Sequence, residues 1–117
     1  MEIVNSYDNT VLYTDFIVSE IIKPLQNKNA IMIYLSDHGE ALGENNLWLH
    51  ASESEIMHHT AAMIWMSKKY IELYPNKYEA LLLNKTQKHK TDFLYHTVID
   101  AGNIKSDVLD NTLSLLN

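Results

Sequence analysis

The residues predict an α/β fold, short strands packed against amphipathic helices, on three observations. Ile31 to Leu35 (IMIYL) is a short apolar run with β-branched and aromatic members, bounded by polar residues. Thr60 to Met66 (TAAMIWM) is a second such run, stopped by Ser67-Lys68-Lys69. Runs of this length and make-up read as buried strands more easily than as helices. Between and around them, apolar residues recur every three or four positions, the helical period. Alternating helix and buried strand favours helices layered on a sheet.

Residues 5 to 25 (NSYDNTVLYTDFIVSEIIKPL) read as the first helix. Ser6, Asp8 or Asn9 can cap its start by accepting from free backbone N–H groups. Val11, Val18, Ile21, Ile22 and Leu25 form its apolar stripe. Pro24 should end it near Lys23, because proline lacks the amide donor and disfavours helix in the residue before it. Gln26 to Asn29 are then the polar turn into the first strand. After Met66, Pro75 breaks a lysine-rich stretch, and Tyr78 to Lys88 reads as a short helix burying Ala80, Leu81 and Leu83. Thr91-Asp92 is expected to cap a further helix, Phe93 to Ala101, with Phe93, Leu94, Val98 and Ala101 on its buried side. Gly102 can end that helix in a left-handed conformation. Residues 106 to 116 (SDVLDNTLSLL) follow as a short amphipathic tail.

Composition bounds the function. With 117 residues, of which 46% are apolar, the chain can build one small folded domain, taken as 1–117. Nine basic residues, all lysine, against fifteen acids leave a net charge of −6. That argues against a nucleic-acid partner, for which a basic face is expected. The absence of cysteine excludes a disulfide framework without fixing the compartment. No run of eighteen apolar residues and no basic-then-apolar leader is present, so the chain as it stands is expected neither to span a membrane nor to direct its own export. Lys85, Lys88 and Lys90 around His89 read first as a solvated helix face. Contact with anionic lipid headgroups is the second reading.

The chemistry gathers at strand ends. Ligands of open α/β sheets collect just beyond the carboxyl ends of the strands, and the first strand delivers Ser36-Asp37-His38-Gly39-Glu40 to such an end. An adjacent carboxylate and imidazole, with Gly39 letting the backbone turn, is a plausible half of a zinc site, or else a surface turn. The loop closes on His50. His58-His59 stand at the entry to the second strand, where extended neighbours point to opposite sides, so at most one of them faces a shared site. A histidine there is also an ordinary surface or hydrogen-bonded residue. The eleven residues between His38 and His50 and the eight between His50 and His59 suffice to return across the top of a sheet, so the second strand is expected to run antiparallel to the first, with Asp37, His38, His50 and His59 converging on one side.

The string from Ser36 to Asn45 (SDHGEALGEN), followed by Leu47-Trp48-Leu49-His50, resembles the metal-binding stretch of the lipid A phosphoethanolamine transferases, membrane-anchored members of the alkaline phosphatase and sulfatase superfamily. Tyr7-Asp8-Asn9-Thr10 resembles the helix preceding that stretch, and Asp92 to Ile99 resembles the family's closing helix. Counting back from Ile64-Trp65-Met66-Ser67 matches His59, not His58, to a family histidine. Two positions depart from the pattern: Ala51 and Ala61 stand where the family usually has glycine and proline, which leaves the loop path and the role of His50 open. His96 reads as a hydrogen-bonded core histidine.

The resemblance runs from Tyr7 to about Asn111 and implies a sulfatase-like sheet flanked by helices, present as the C-terminal part of a catalytic domain. It implies zinc held partly by Asp37 and His38, with a nucleophilic threonine and a further acidic ligand N-terminal to this chain. The implied reaction moves phosphoethanolamine from a phospholipid donor, through a phospho-threonine, to a lipid or glycan acceptor such as lipid A. His50 and His59 would stabilise the phosphoryl group or protonate a leaving oxygen, and Glu40 could orient a ligand. The full-length enzyme would sit in the bacterial inner membrane through N-terminal helices, with its catalytic domain in the periplasm; this chain alone would be inactive. A sulfatase or phosphatase of the same superfamily would use the same Asp-His pair. In a non-catalytic interaction domain the histidines would be structural.

Overall fold

The computed structural model describes residues 2–50 and 54–117. The fold is mixed α/β, with helices and two small antiparallel sheets. The chain divides into two compact units, residues 1–26 with 32–65, and residues 27–31 with 66–117.

The first unit begins with helix α1, Glu2–Ile22. It starts earlier than its capping residues suggest, because Ile3, Val4 and Tyr7 continue the apolar period upstream and nothing in Glu2–Asn5 breaks a helix. Ser6, Asp8 and Asn9 therefore lie inside α1 rather than at its start. Its end falls as expected: a 3-10 turn, Lys23–Leu25, takes over with Pro24 in its first turn, where the missing amide costs nothing.

Strands β1 (Ile31–Leu35) and β4 (Ala62–Met66) pair with each other. At one end the Ser36 amide donates to the Ala61 carbonyl, and at the other the Ser67 amide donates to the Ala30 carbonyl, both at 2.9 Å. Pairing the exit of β1 with the entry of β4 makes the two strands antiparallel. Neither is the buried strand expected. Every residue of β1 is half-buried, and Ala62 and Met63 are exposed, because a sheet of two strands lacks the neighbours that would cover its faces.

Between them a hairpin forms from β2 (Ala41–Leu42) and β3 (Trp48–Leu49), with Ala41 opposite Leu49 and Leu42 opposite Trp48. Its connection is a tight turn over Glu44–Asn46, entered through Gly43 at φ 117°. Asn45 and Asn46 also take positive φ, which asparagine tolerates. The Glu44 carboxylate locks the turn by accepting from the Leu42 amide at 2.7 Å. Ala51, at one of the two departures from the family pattern, lies outside the described residues.

The second unit holds α2 (Lys68–Leu73), α3 (Pro75–Asn84) and α4 (Phe93–Ala101). The Ser67 hydroxyl caps α2 by accepting from the Tyr70 amide at 3.0 Å. Pro75 does break the stretch, but it also opens α3 at a first-turn position, so that helix spans 75–84 rather than 78–88. Leu83 is 74% exposed on it. Helix α4 has the expected bounds but buries Phe93, Thr97 and Ala101, a strict four-residue spacing that leaves Val98 half exposed. No side chain caps its start, and Gly102 is right-handed; the left-handed residue is Asn103, at φ 53°. The tail turns at Asn111–Leu113 and then buries Ser114, Leu115 and Leu116. Thr97 Oγ1 accepts from the Leu115 amide at 3.0 Å, and Asn84 Nδ2 donates to the Leu115 carbonyl at 3.2 Å. Lys77 and Asp100 form an ion pair at 2.7 Å in the same unit.

Candidate functional site

The site is built by the loop leaving β1. Gly39 is required there for space rather than for a turn. A Cβ on it would lie 2.1 Å from the Ile56 carbonyl oxygen and 2.9 Å from that of His59. Its amide donates to the Met57 carbonyl at 2.9 Å. The loop bearing Asp37 and His38 is thus pressed against the backbone of residues 56–59, just before β4. The hairpin β2–β3 returns the chain, and Leu49 holds a positive φ of 63° immediately before His50. A bulky residue in that region costs about 1–2 kcal/mol and is kept only where its surroundings impose it.

His38 and His50 meet here, with ring centroids 5.1 Å apart. Glu40 lies between them, its side chain 15% exposed. One carboxylate oxygen is 3.2 Å from His50 Nδ1 and the other 3.7 Å from His38 Nδ1. His38 Nδ1 donates to the Gly39 carbonyl at 2.7 Å, since a carbonyl can only accept. Nε2 is thereby the nitrogen left for a ligand, and it lies 3.8 Å from Asp37 Oδ2. The hydrogen bond to Gly39 raises the His38 pKa above its ordinary 6.5; desolvation opposes it, and the charges of Asp37 and Glu40 add to the rise.

Of the residues singled out in the sequence, His38 and His50 are brought together, with Glu40 as their shared partner. Asp37 adjoins His38 with a carboxylate 90% exposed to solvent, one oxygen accepting from the His38 amide at 3.1 Å. His59 is exposed, and what ties it to the site is its backbone packed on Gly39. Outside this cluster His96 is half-buried and accepts from the Asp110 amide through Nδ1 at 3.0 Å. The first turns of α1 add a wall the sequence did not signal. Ile3, Tyr7 and Thr10 share an open groove of about 520 Å³ with His38, Glu40 and His50.

The donor set suits zinc. One ligand atom each from His38, Glu40 and His50 can be chosen with all three within 4.8 Å of one another. Around a single zinc ion, bonds near 2.0–2.2 Å place such atoms roughly 3–3.5 Å apart. The exposed Asp37 carboxylate and His38 Nε2, 3.8 Å apart, are already close to that spacing, whereas Glu40, 15% exposed and 3.2 Å from His50 Nδ1, is engaged as the partner of that ring.

A family model described as Sulfatase matches residues 2–104. The chain belongs to the sulfatase family. It is 34% identical over 116 residues to phosphoethanolamine transferase EptA of Salmonella typhimurium, a match covering 90% of this chain and 21% of the relative. It is 39% identical over 75 residues to the Kdo(2)-lipid A phosphoethanolamine 7''-transferase of Escherichia coli, over 61% of this chain and 13% of that protein. Its fold matches the crystal structure of the soluble domain of lipooligosaccharide phosphoethanolamine transferase A from Neisseria meningitidis. The TM-score is 0.84 at 30% identity, over 97% of this chain and 37% of that one. The sulfatase-family chain thus spans about a fifth of the length of the EptA relatives it matches. Among the described residues no helix is long and apolar enough to cross a membrane.

Proposed function

We propose that this chain is the metal-bearing C-terminal portion of a zinc-dependent phosphoethanolamine transferase. Its substrates would be a phospholipid donor and a lipid or glycan acceptor such as lipid A. The observation that carries the reading is the convergence of His38, Glu40 and His50 in a chain similar to phosphoethanolamine transferases in sequence and fold. Asp37 and His38 Nε2 would hold the metal, and the remaining ligands and the nucleophilic threonine would come from the part of the domain this chain does not match. Bound zinc supplies Lewis acidity, lowering the pKa of a coordinated hydroxyl and neutralising charge on phosphoryl oxygens.

The chain's own residues do the rest. The Gly39 carbonyl fixes the His38 tautomer, so that Nε2 presents its lone pair outward. Glu40 orients the His50 ring through Nδ1, leaving His50 Nε2 to donate to a phosphoryl oxygen or to protonate the leaving oxygen. His59, carried on the segment packed over Gly39, serves the same phosphoryl group from the β4 side. In the complete enzyme the threonine oxygen would take the phosphoethanolamine group by displacing diacylglycerol, and an oxygen of the acceptor would then take it by displacing the threonine. The whole enzyme would be anchored in the inner membrane by helices outside this chain and work in the periplasm.

Zinc titration of the purified chain, followed by the ring signals of its histidines in nuclear magnetic resonance, tests the metal site. The signals of His38 should move, with weak affinity because two ligands fall short of the three or four zinc normally takes. Asp37→Ala should weaken the effect by about tenfold. If His38 is unmoved while other histidines respond, the site assignment fails.

A further inference from the structure

Helix α1 is apolar on two sides. One side, with Val18 and Ile22, is half-buried. On the other side Leu12, Tyr13 and Phe16 form a second patch, 68%, 66% and 54% exposed, with the Tyr13 and Phe16 rings stacked at 6.4 Å. Among the described residues of α1, 21 in number, none is fully buried. A helix that is hydrophobic on opposite faces belongs inside a larger body. Strand β1 tells the same story, apolar at all five positions yet only half-buried at each.

We propose that the Leu12–Tyr13–Phe16 face of α1 is the docking surface for the remainder of a sulfatase-type domain, the part of such a domain this chain does not match. The chain accounts for 37% of the solved Neisseria domain at a TM-score of 0.84, so most of a domain of that kind lies outside it and needs a surface to pack on. A lipid surface fits poorly. Interfacial helices carry lysine and arginine on their polar face, whereas α1 carries four acids, Glu2, Asp8, Asp15 and Glu20, and no basic residue. A second copy fits poorly too, because self-pairing would bring two sets of those acids together. The proposal rests on the transferase reading only in its choice of partner.

The chain has no cysteine, so single cysteines report cleanly on this face. Leu12→Cys and Phe16→Cys would be labelled with a maleimide in the isolated chain, and in a fusion where the chain replaces the matched segment of the Neisseria domain. Mass spectrometry of the α1 peptide reads the rate. Labelling should slow at least tenfold at both positions in the fusion, while Lys28→Cys, outside α1, stays unchanged. The same comparison would be made on the chain co-expressed with the remainder of that domain as a separate polypeptide. If neither fusion nor co-expression slows labelling, the proposal is overturned. It is equally overturned if the isolated chain sediments as a dimer that Leu12→Glu turns into a monomer, since the face then belongs to a second copy. Labelling reads burial and not turnover, so a protected face in an enzyme that transfers nothing would sink the functional reading and leave this one standing.

Discussion

Replacing Asp100 with alanine should destabilise the second unit by about 3 kcal/mol. Lys77 and Asp100 are 15% and 16% exposed and 2.7 Å apart. Removing one partner of a fully buried pair costs about 3–5 kcal/mol, while an exposed pair is worth roughly 0–1. At this exposure solvent screens part of the charge. The ammonium also keeps the Asp100 backbone carbonyl as an acceptor and lies 5.6 Å from the Tyr74 ring centroid. The stranded lysine is therefore set between the two ranges, at about 2 kcal/mol. The Ser114 hydroxyl, which donates to the other Asp100 oxygen, loses its acceptor and adds about 1 kcal/mol. With a urea slope of about 1–3 kcal/mol/M, the unfolding midpoint should fall by roughly 1–3 M. Asp100→Asn, which keeps an acceptor for Ser114, should lose less. The double variant Lys77→Met with Asp100→Leu should recover much of the loss, since it strands no charge. A midpoint for Asp100→Ala within experimental error of the parent would refute the reasoning and class the pair with surface ion pairs.

Two further outcomes follow from local geometry. Gly39→Ala forces a Cβ against the backbone oxygen of Ile56, which cannot swing aside, so it should cost about 1–3 kcal/mol and separate the His38 and His50 rings; retained nuclear Overhauser contacts between those rings would contradict this. Burial, with the charge of Asp100 adding to it, pushes the Tyr70 hydroxyl up to about 12. Its folded value is raised above the ordinary 10.0, so its stabilising contribution is present below pH 10 and lost as pH rises towards 12. Tyr70 should be among the last tyrosines to ionise in an ultraviolet titration, and a group titrating at its ordinary value would contradict the buried setting.

The sequence was most legible where a single local rule decides. The strand Ile31–Leu35 lies where its apolar run and polar borders place it, and Pro24 ends α1 as expected. The antiparallel course of β4 was legible too, from the short return between His38 and His59. The start of α1 was not legible, because Ser6, Asp8 and Asn9 are good caps but equally tolerable inside a helix whose apolar period continues upstream. Nor was the end of α4, because a glycine permits a left-handed residue without requiring one, and Asn103 rather than Gly102 takes that role. The two-residue strands β2 and β3 are too short for periodicity to register. Glu40 was named only as a residue that could orient a ligand. Its place between two imidazoles depends on the hairpin, which pairs Ala41 with Leu49 and so sets Glu40 beside His50. The Lys77–Asp100 pair, 23 residues apart in sequence, carried no local signal at all.

The measurement that bears most directly on the functional claim is product analysis of a complete enzyme carrying this chain in place of the matched segment of the Neisseria transferase. Given a fluorescent phosphatidylethanolamine, it should release diacylglycerol and pass phosphoethanolamine to an acceptor. Asp37→Ala should abolish this, and the purified 117-residue chain should show none of it. A folded enzyme of this kind that leaves phosphatidylethanolamine intact while cleaving a sulfate ester would contradict the transferase reading and place the site among the hydrolases.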